Sequence, residues 1–353
     1  MVQFSILAAA LALISAVNAQ CGSGTPHATV TGSTGNYKAL KGTSSVYSGS
    51  DYYAAINAAL NSISSGQRVS VIASGSIGTN TISIPSGKIF EGCGTINLGY
   101  KSGRGGIESL NTQGAKIPYL TLTGAPYFAM RFYGTRDLSL GKITMNLSGG
   151  MGIRFERDNA ANYNVNMDVI NVTGAGSHAV ETWNIDGLNI NQVIARNVGE
   201  CGLLLQKVTN AWVGLVDANN VATGTGYAAL RFANQNGKLN GGYNTNIWID
   251  KLVARGGGRG LFCVSESGGA QIKNVDISNT GNNAILIENC YNVNVLAGTV
   301  NGGGEVRLAA RSEFANNRDI SLTLRVDNTS VRESPCGENT NFYITGNASK
   351  NIC

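Results

Sequence analysis

Gly152-Ile153-Arg154-Phe155-Glu156, Ala179-Val180-Glu181-Thr182-Trp183 and Gly202-Leu203-Leu204-Leu205-Gln206 are three versions of one five-residue strand. Five more, centred on Arg131, Arg231, Phe262, Leu286 and Arg307, share the pattern. Positions two and four are apolar, Thr182 being the exception, and position three varies freely and is often charged. Alternating strands that recur roughly every two dozen residues are the mark of a stacked solenoid. The blades of a β-propeller would need about 40 residues or more. The expected fold is therefore all-β, a single-stranded right-handed parallel β-helix.

A second strand follows each copy, as in Leu188-Asn189-Ile190 and Ile247-Trp248-Ile249, and asparagines recur after a third, at Asn171, Asn197, Asn220, Asn279 and Asn301. Stacked Asn side chains can bond from rung to rung. Upstream, Ser50-Asp51 opens a helical pattern through Tyr52, Tyr53, Ile56, Leu60 and Ile63, which predicts a short N-terminal capping helix. Residues 20–49 read as irregular. No Pro-rich or charged linker interrupts the rungs, so residues 20–353 are expected to form one β-helix domain.

Residues 1–19 read as a secretory signal peptide, with an apolar run from Phe4 to Val17 and a small-residue site at Val17-Asn18-Ala19. A secreted, extracellular protein with disulfides follows. The seven cysteines leave at least one unpaired; Cys336 and Cys353 are the expected pair, and Cys263, at an inward strand position, is expected as a core thiol. Sequons at Asn146, Asn171, Asn328 and Asn347 predict a glycoprotein. Charged residues make up only 13% of the chain, which suits short strands and tight turns. The net charge of +5 is dispersed, so no nucleic acid partner is expected, and no segment is long and apolar enough to span a membrane. The chain is expected to act as a monomer.

Some segments between Gly92 and Cys353 resemble the polygalacturonases and rhamnogalacturonan hydrolases, secreted pectin-cleaving β-helices. Gly92-Cys93-Gly94-Thr95-Ile96-Asn97 is similar to the family's G-x-G-T-I-D segment, and Gly176 to Trp183 is similar to the stretch that holds its first catalytic aspartate. His178 stands at that aspartate, and Gly199-Glu200-Cys201 stands where the family has D-D-C or D-E-C. Thr225 replaces the histidine of G-H-G, and Phe262 and Val264 replace the Arg and Lys of R-I-K. The resemblance implies the β-helix scaffold and a pectic substrate; of the catalytic acids only Glu200 is retained.

Equivalent positions in a solenoid stack about 4.8 Å apart. Position three then forms one outward ladder, Arg131, Arg154, Glu181, Leu204 and Arg231, and position five another, Tyr133, Glu156, Trp183, Gln206 and Ala233. Glu200 and Glu181 are the candidate catalytic pair of a glycoside hydrolase, with His178 holding or shuttling a proton. Arg131, Arg154, Arg231, Lys207, Trp183 and Thr225 are the candidate substrate-binding residues, arginines for sugar carboxylates and the ring for stacking. The expected partner is an acidic polysaccharide. Two alternatives stay open: a lyase on a uronate polymer, with Arg154, Arg231 or Lys207 neutralising the carboxylate, and a glycan-binding protein without catalysis. Asp158, Asp168 and Asp186 are scattered, so no metal and no cofactor are expected.

Overall fold

The computed structural model describes residues 22–224 and 226–353. The expected signal peptide, Cys21 and Thr225 fall outside them. The described residues wind into a parallel β-helix of about 12 turns. Strand register defines three faces. The repeated strand builds the front face, where Met130, Ile153, Val180, Leu203, Leu230, Leu261, Ile285 and Val306 align in order. Long strands bend round the corners: Val180–Val198 pairs with Leu203–Val221 from Val180↔Leu203 to Val198↔Val221, supplying all three faces of its turn.

Alternation along each strand explains the packing. Positions two and four of the repeat point inward, and Phe132 and Phe155 stack there with ring centroids 5.1 Å apart. Thr182 is fully buried in the position-four stack; its hydroxyl donates to the Leu204 carbonyl at 3.0 Å, so the polar exception is satisfied. Position one alternates Gly152, Ala179, Gly202, Ala229, Gly260 and Ala284. A Cβ on Gly152 would stand 2.2 Å from the Ala179 carbonyl oxygen, and one on Gly202 2.6 Å from that of Ala229. The small residues are thus set by close approach of consecutive rungs.

The stack begins earlier than expected. Residues 28–49 are not irregular: β1 (Ala28–Ser33), β2 (Asn36–Lys41) and β3 (Ser44–Gly49) form an antiparallel meander. β1 also pairs in parallel with Arg68–Val71, making it the first rung strand. The apolar alternation of Ala28, Val30, Tyr37 and Ala39, all buried, drives this. Then α1 (Tyr52–Ser62) covers the end, its N-cap Asp51 accepting from the Ala54 N–H at 3.0 Å and its Tyr52, Ile56 and Leu60 buried.

Cys336 and Cys353 form a disulfide, as expected. Cys263 corrects the expectation of a core thiol: it is bonded to Cys290. Both point inward on neighbouring rungs, with Cα atoms 6.3 Å apart, within bridging reach. The free cysteine among the described residues is Cys201, whose thiol burial pushes up to about 12. Side-chain bonds link Asn220 to Asn197 and, on the last turns, Asn328 to Asn301 and Asn347 to Asn328.

Candidate functional site

The register brings the position-three residues into one column, Glu108–Arg131–Arg154–Glu181–Leu204–Arg231–Phe262–Leu286. Its first half is an ion-pair ladder. Arg104 grips Glu108 through two bonds of 3.0 and 2.8 Å, Arg131 reaches Glu108 at 3.3 Å and Glu156 at 2.7 Å, and Arg154 reaches Glu156 at 3.3 Å and also pairs with Glu181. Arg131 and Arg154 therefore spend their charge inside the protein. Glu108 escaped sequence reading because Ser109 breaks the apolar pattern at position four. That serine is buried, donating to the Ile84 carbonyl at 2.9 Å. The signal was present in Ile107-Glu108, one further copy of the repeat.

Glu181 is 6% exposed and saturated. It accepts from Arg154, from the Trp183 indole at 2.9 Å and from the Gln206 amide at 2.8 Å, while His178 Nε2 lies 4.0 Å away. Burial alone would raise its pKa, but His178, Arg154 and the Trp183 bond outweigh it and hold the carboxyl below its ordinary value. Trp183, itself 6% exposed, serves here as a hydrogen-bond donor and presents no open ring face.

Ser177, Glu200 and Tyr227 stand three residues before the aligned Val180, Leu203 and Leu230, so they share one turn position on consecutive rungs. Glu200 is the accessible carboxylate, its side chain 28% exposed. It accepts from the Ser177 hydroxyl, His178 Nε2 lies 3.2 Å from it, and the Tyr227 phenol stands beside it. His178 Nδ1 accepts the Cys201 N–H at 3.0 Å, which fixes the neutral tautomer with its proton on Nε2, toward Glu200. Burial, over the pull of Glu181 and Glu200, lowers the pKa of His178. The Tyr227 ring meets the imidazole edge to face at 5.2 Å, and burial followed by Glu200 raises its phenol pKa.

Beyond Tyr227 the ladder changes character. The Arg231 guanidinium lies 5.5 Å from the Tyr227 ring and 5.0 Å from the Phe262 ring; that of Arg259 lies 4.9 Å from the same Phe262. Among the described residues neither arginine pairs with a carboxylate. Arg231 Nε and Arg259 Nη1 are buried without a hydrogen-bond partner; the one side-chain bond of Arg259 runs from Nε to Asn283 at 3.2 Å. Burial, and then the charge of Arg231, lowers the Arg259 pKa. Leu204, Phe262 and Leu286 beneath them belong to a small apolar cluster against which Tyr227 packs.

His178, Glu181, Glu200 and Arg231 thus meet in one charged cluster, with Trp183 behind Glu181. Lys207 is exposed one corner away, with Asn234, Glu266 and Phe314 around a 280 Å³ hollow. Sequence reasoning did not single out Tyr227 or Arg259. Both stand in the turn before the repeat, one rung apart, Tyr227 in the column of Glu200 and Arg259 in that of His178 and Cys201. No group of three or more His, Cys, Asp or Glu among the described residues could hold a metal ion.

The fold and site define a parallel β-helix with a charged front column, beside whose middle rungs lie two arginines without a carboxylate partner among the described residues. No family model and no curated protein matches the chain. Among solved structures it is similar to the A-module of the Azotobacter vinelandii mannuronan C-5 epimerase AlgE4, at 12% identity over 86% of this chain and 94% of that one, with a TM-score of 0.49. The corresponding module of AlgE6 gives 11% identity, 84% and 96% coverage and a TM-score of 0.47.

Proposed function

We propose that the chain acts on an anionic polysaccharide, and that it moves the proton beside a uronate carboxylate rather than hydrolysing the glycosidic bond. One observation carries this reading: Arg231 and Arg259 are two neighbouring, half-buried guanidiniums with buried N–H groups that no protein oxygen satisfies. A sugar carboxylate would supply the missing acceptors and charge. Bound there, it has its own charge neutralised, which makes the adjacent C–H acidic and stabilises the enolate-like state that forms when the proton leaves.

Glu200 takes that proton. It is the carboxylate open to solvent, and its neighbour Tyr227, kept protonated by burial and by Glu200, donates to the opposite partner in the step. For elimination, the C–H pair forms the new carbon–carbon double bond, the bond to the leaving oxygen breaks, and the Tyr227 proton goes to that oxygen. If Tyr227 instead gives its proton to the same carbon on the other face, while Glu200 keeps the one it removed, the sugar is epimerised. Both outcomes share the removal step. His178, its Nε2 3.2 Å from Glu200, helps hold that carboxylate in place.

Hydrolysis by Glu181 and Glu200 is the competing reading. It needs a second carboxyl free to act on water or on the sugar. Glu181 has its oxygens occupied by three donors, and the His178 ring stands between it and Glu200. The acid–base geometry therefore favours proton abstraction. The test is incubation with polygalacturonate and polymannuronate, followed by ultraviolet absorbance of unsaturated ends and by NMR of sugar configuration. Arg231→Gln should lower kcat/KM by about 10²–10³-fold, the usual cost of losing one charge-stabilising donor. Activity that survives this change would remove the arginine couple from the site.

A further inference from the structure

The second face carries a ladder of a different kind. Ser139, Asn166, Asn189, Trp212, Trp248, Gln271, Asn294, Ser321 and Asn341 align on nine successive rungs, and none of them is charged. Trp212 and Trp248 are register partners and stand 37% and 41% exposed, whereas the chain's third tryptophan, Trp183, is buried. A shallow cavity of 470 Å³ lies over this ladder, bounded by Asn166, Asn189, Trp212 and Trp248 with Asp137 at its rim. A second hollow of 280 Å³ shares Asn166, Asn189 and Trp212 with it and reaches Asp168. The pair spans the rungs from Ser139 to Trp248, roughly 20 Å along the helix axis at the usual strand spacing.

We infer that this groove is a binding site for a chain of uncharged pyranose sugars, separate from the arginine site and independent of the reaction proposed there. Three features choose this occupant. Two indoles on adjacent rungs offer apolar surface at one-strand spacing, suited to the C–H faces of sugar rings. The Asn189 amide and both indole N–H groups make no side-chain hydrogen bond within the chain, so they are free to meet hydroxyls. The lining contains Asp137 and Asp168 and no cation, which repels a polyuronate and accepts hydroxyls instead. The charge pattern is thus the reverse of that on the front face. The groove would hold the protein on a neutral glycan while the front face takes an acidic one.

The test is affinity electrophoresis of the full chain through gels containing hydroxyethylcellulose, xylan or galactomannan, with polygalacturonate and polymannuronate as charged comparators. At least one neutral polymer should retard the protein. Trp212→Ala and Trp248→Ala should each weaken that retardation roughly two- to tenfold, the value of one aromatic stacking contact. Trp212→Phe and Trp248→Phe, which keep a ring, should retain part of it and serve if the alanine variants fail to fold. Arg231→Gln should leave it unchanged. Retardation by none of the neutral polymers, or retardation that persists without both indoles, would overturn the proposal. So would sedimentation showing that the two tryptophans instead mediate self-association.

Discussion

Glu181 and Glu200 lie one rung apart and have opposite surroundings. Glu181 is enclosed by donors, so replacing it should damage the fold: Glu181→Ala leaves Arg154 and His178 facing an empty site and is expected to cost about 3–5 kcal/mol in denaturant unfolding, as when a buried pair loses one member. Glu200 is half open, so Glu200→Gln should keep the stability and lower turnover about 10²–10⁴-fold, the range for a general acid or base. A Glu181→Ala variant as stable as the parent would show that the enclosing bonds are not formed. Sequence pattern placed both carboxylates in the right cluster but could not tell them apart. Their difference depends on which donors arrive from other rungs, Arg154 and Gln206 for one and Ser177 for the other, and spacing along a chain does not report it.

At the level of the elements, the front ladder couples stability to pH. Glu108 and Glu181 both have depressed folded pKa values. Burial raises each, and for Glu108 the Arg104 bond and the Gly105 N–H outweigh it, for Glu181 His178 and Arg154. The unfolded chain then binds protons more readily in acid, with Glu near 4.3. Their contribution is complete above about pH 4.3 and is lost as pH falls through the lower folded values. His178, also depressed, adds a loss that begins below about pH 6.5, where the unfolded imidazole takes a proton that the buried one resists. Thermal melts from neutral pH downward should show two successive declines, and Glu108→Gln should diminish the more acidic one; a melting temperature flat from pH 7 to pH 3 would contradict the ladder. The strand pattern was legible because position three recurs in sequence. The turns were less so: Lys207 adopts φ 47°, a left-handed corner conformation shared with Asn184 and Asn234 on the neighbouring rungs, and only the register reveals the match.

Across the whole molecule, each rung rests on its neighbours, so a defect in the central stack should weaken the entire coil. Phe155→Ala is expected to cost about 3–5 kcal/mol by calorimetry, the usual loss for an excised core phenylalanine, despite its distance from both termini. The solenoid could be read from sequence because one strand repeats with inward and outward positions intact. The N-terminal meander could not, since β2 and β3 run antiparallel and β1, although it joins the first rung, matches none of the repeated strands. The couple of Arg231 and Arg259 is likewise a product of winding, bringing a strand residue and a turn residue of the next rung against the same Phe262 ring. The most direct measurement of what this couple does is solvent isotope exchange: incubate the protein with polyuronate in deuterium oxide and follow the carbon beside the carboxylate by NMR. Proton abstraction requires deuterium to enter that carbon, or an unsaturated product to form there, and both to vanish in Arg231→Gln. New reducing ends with neither change would establish hydrolysis, and no change of any kind would leave a binding protein; either result would contradict the proposed chemistry.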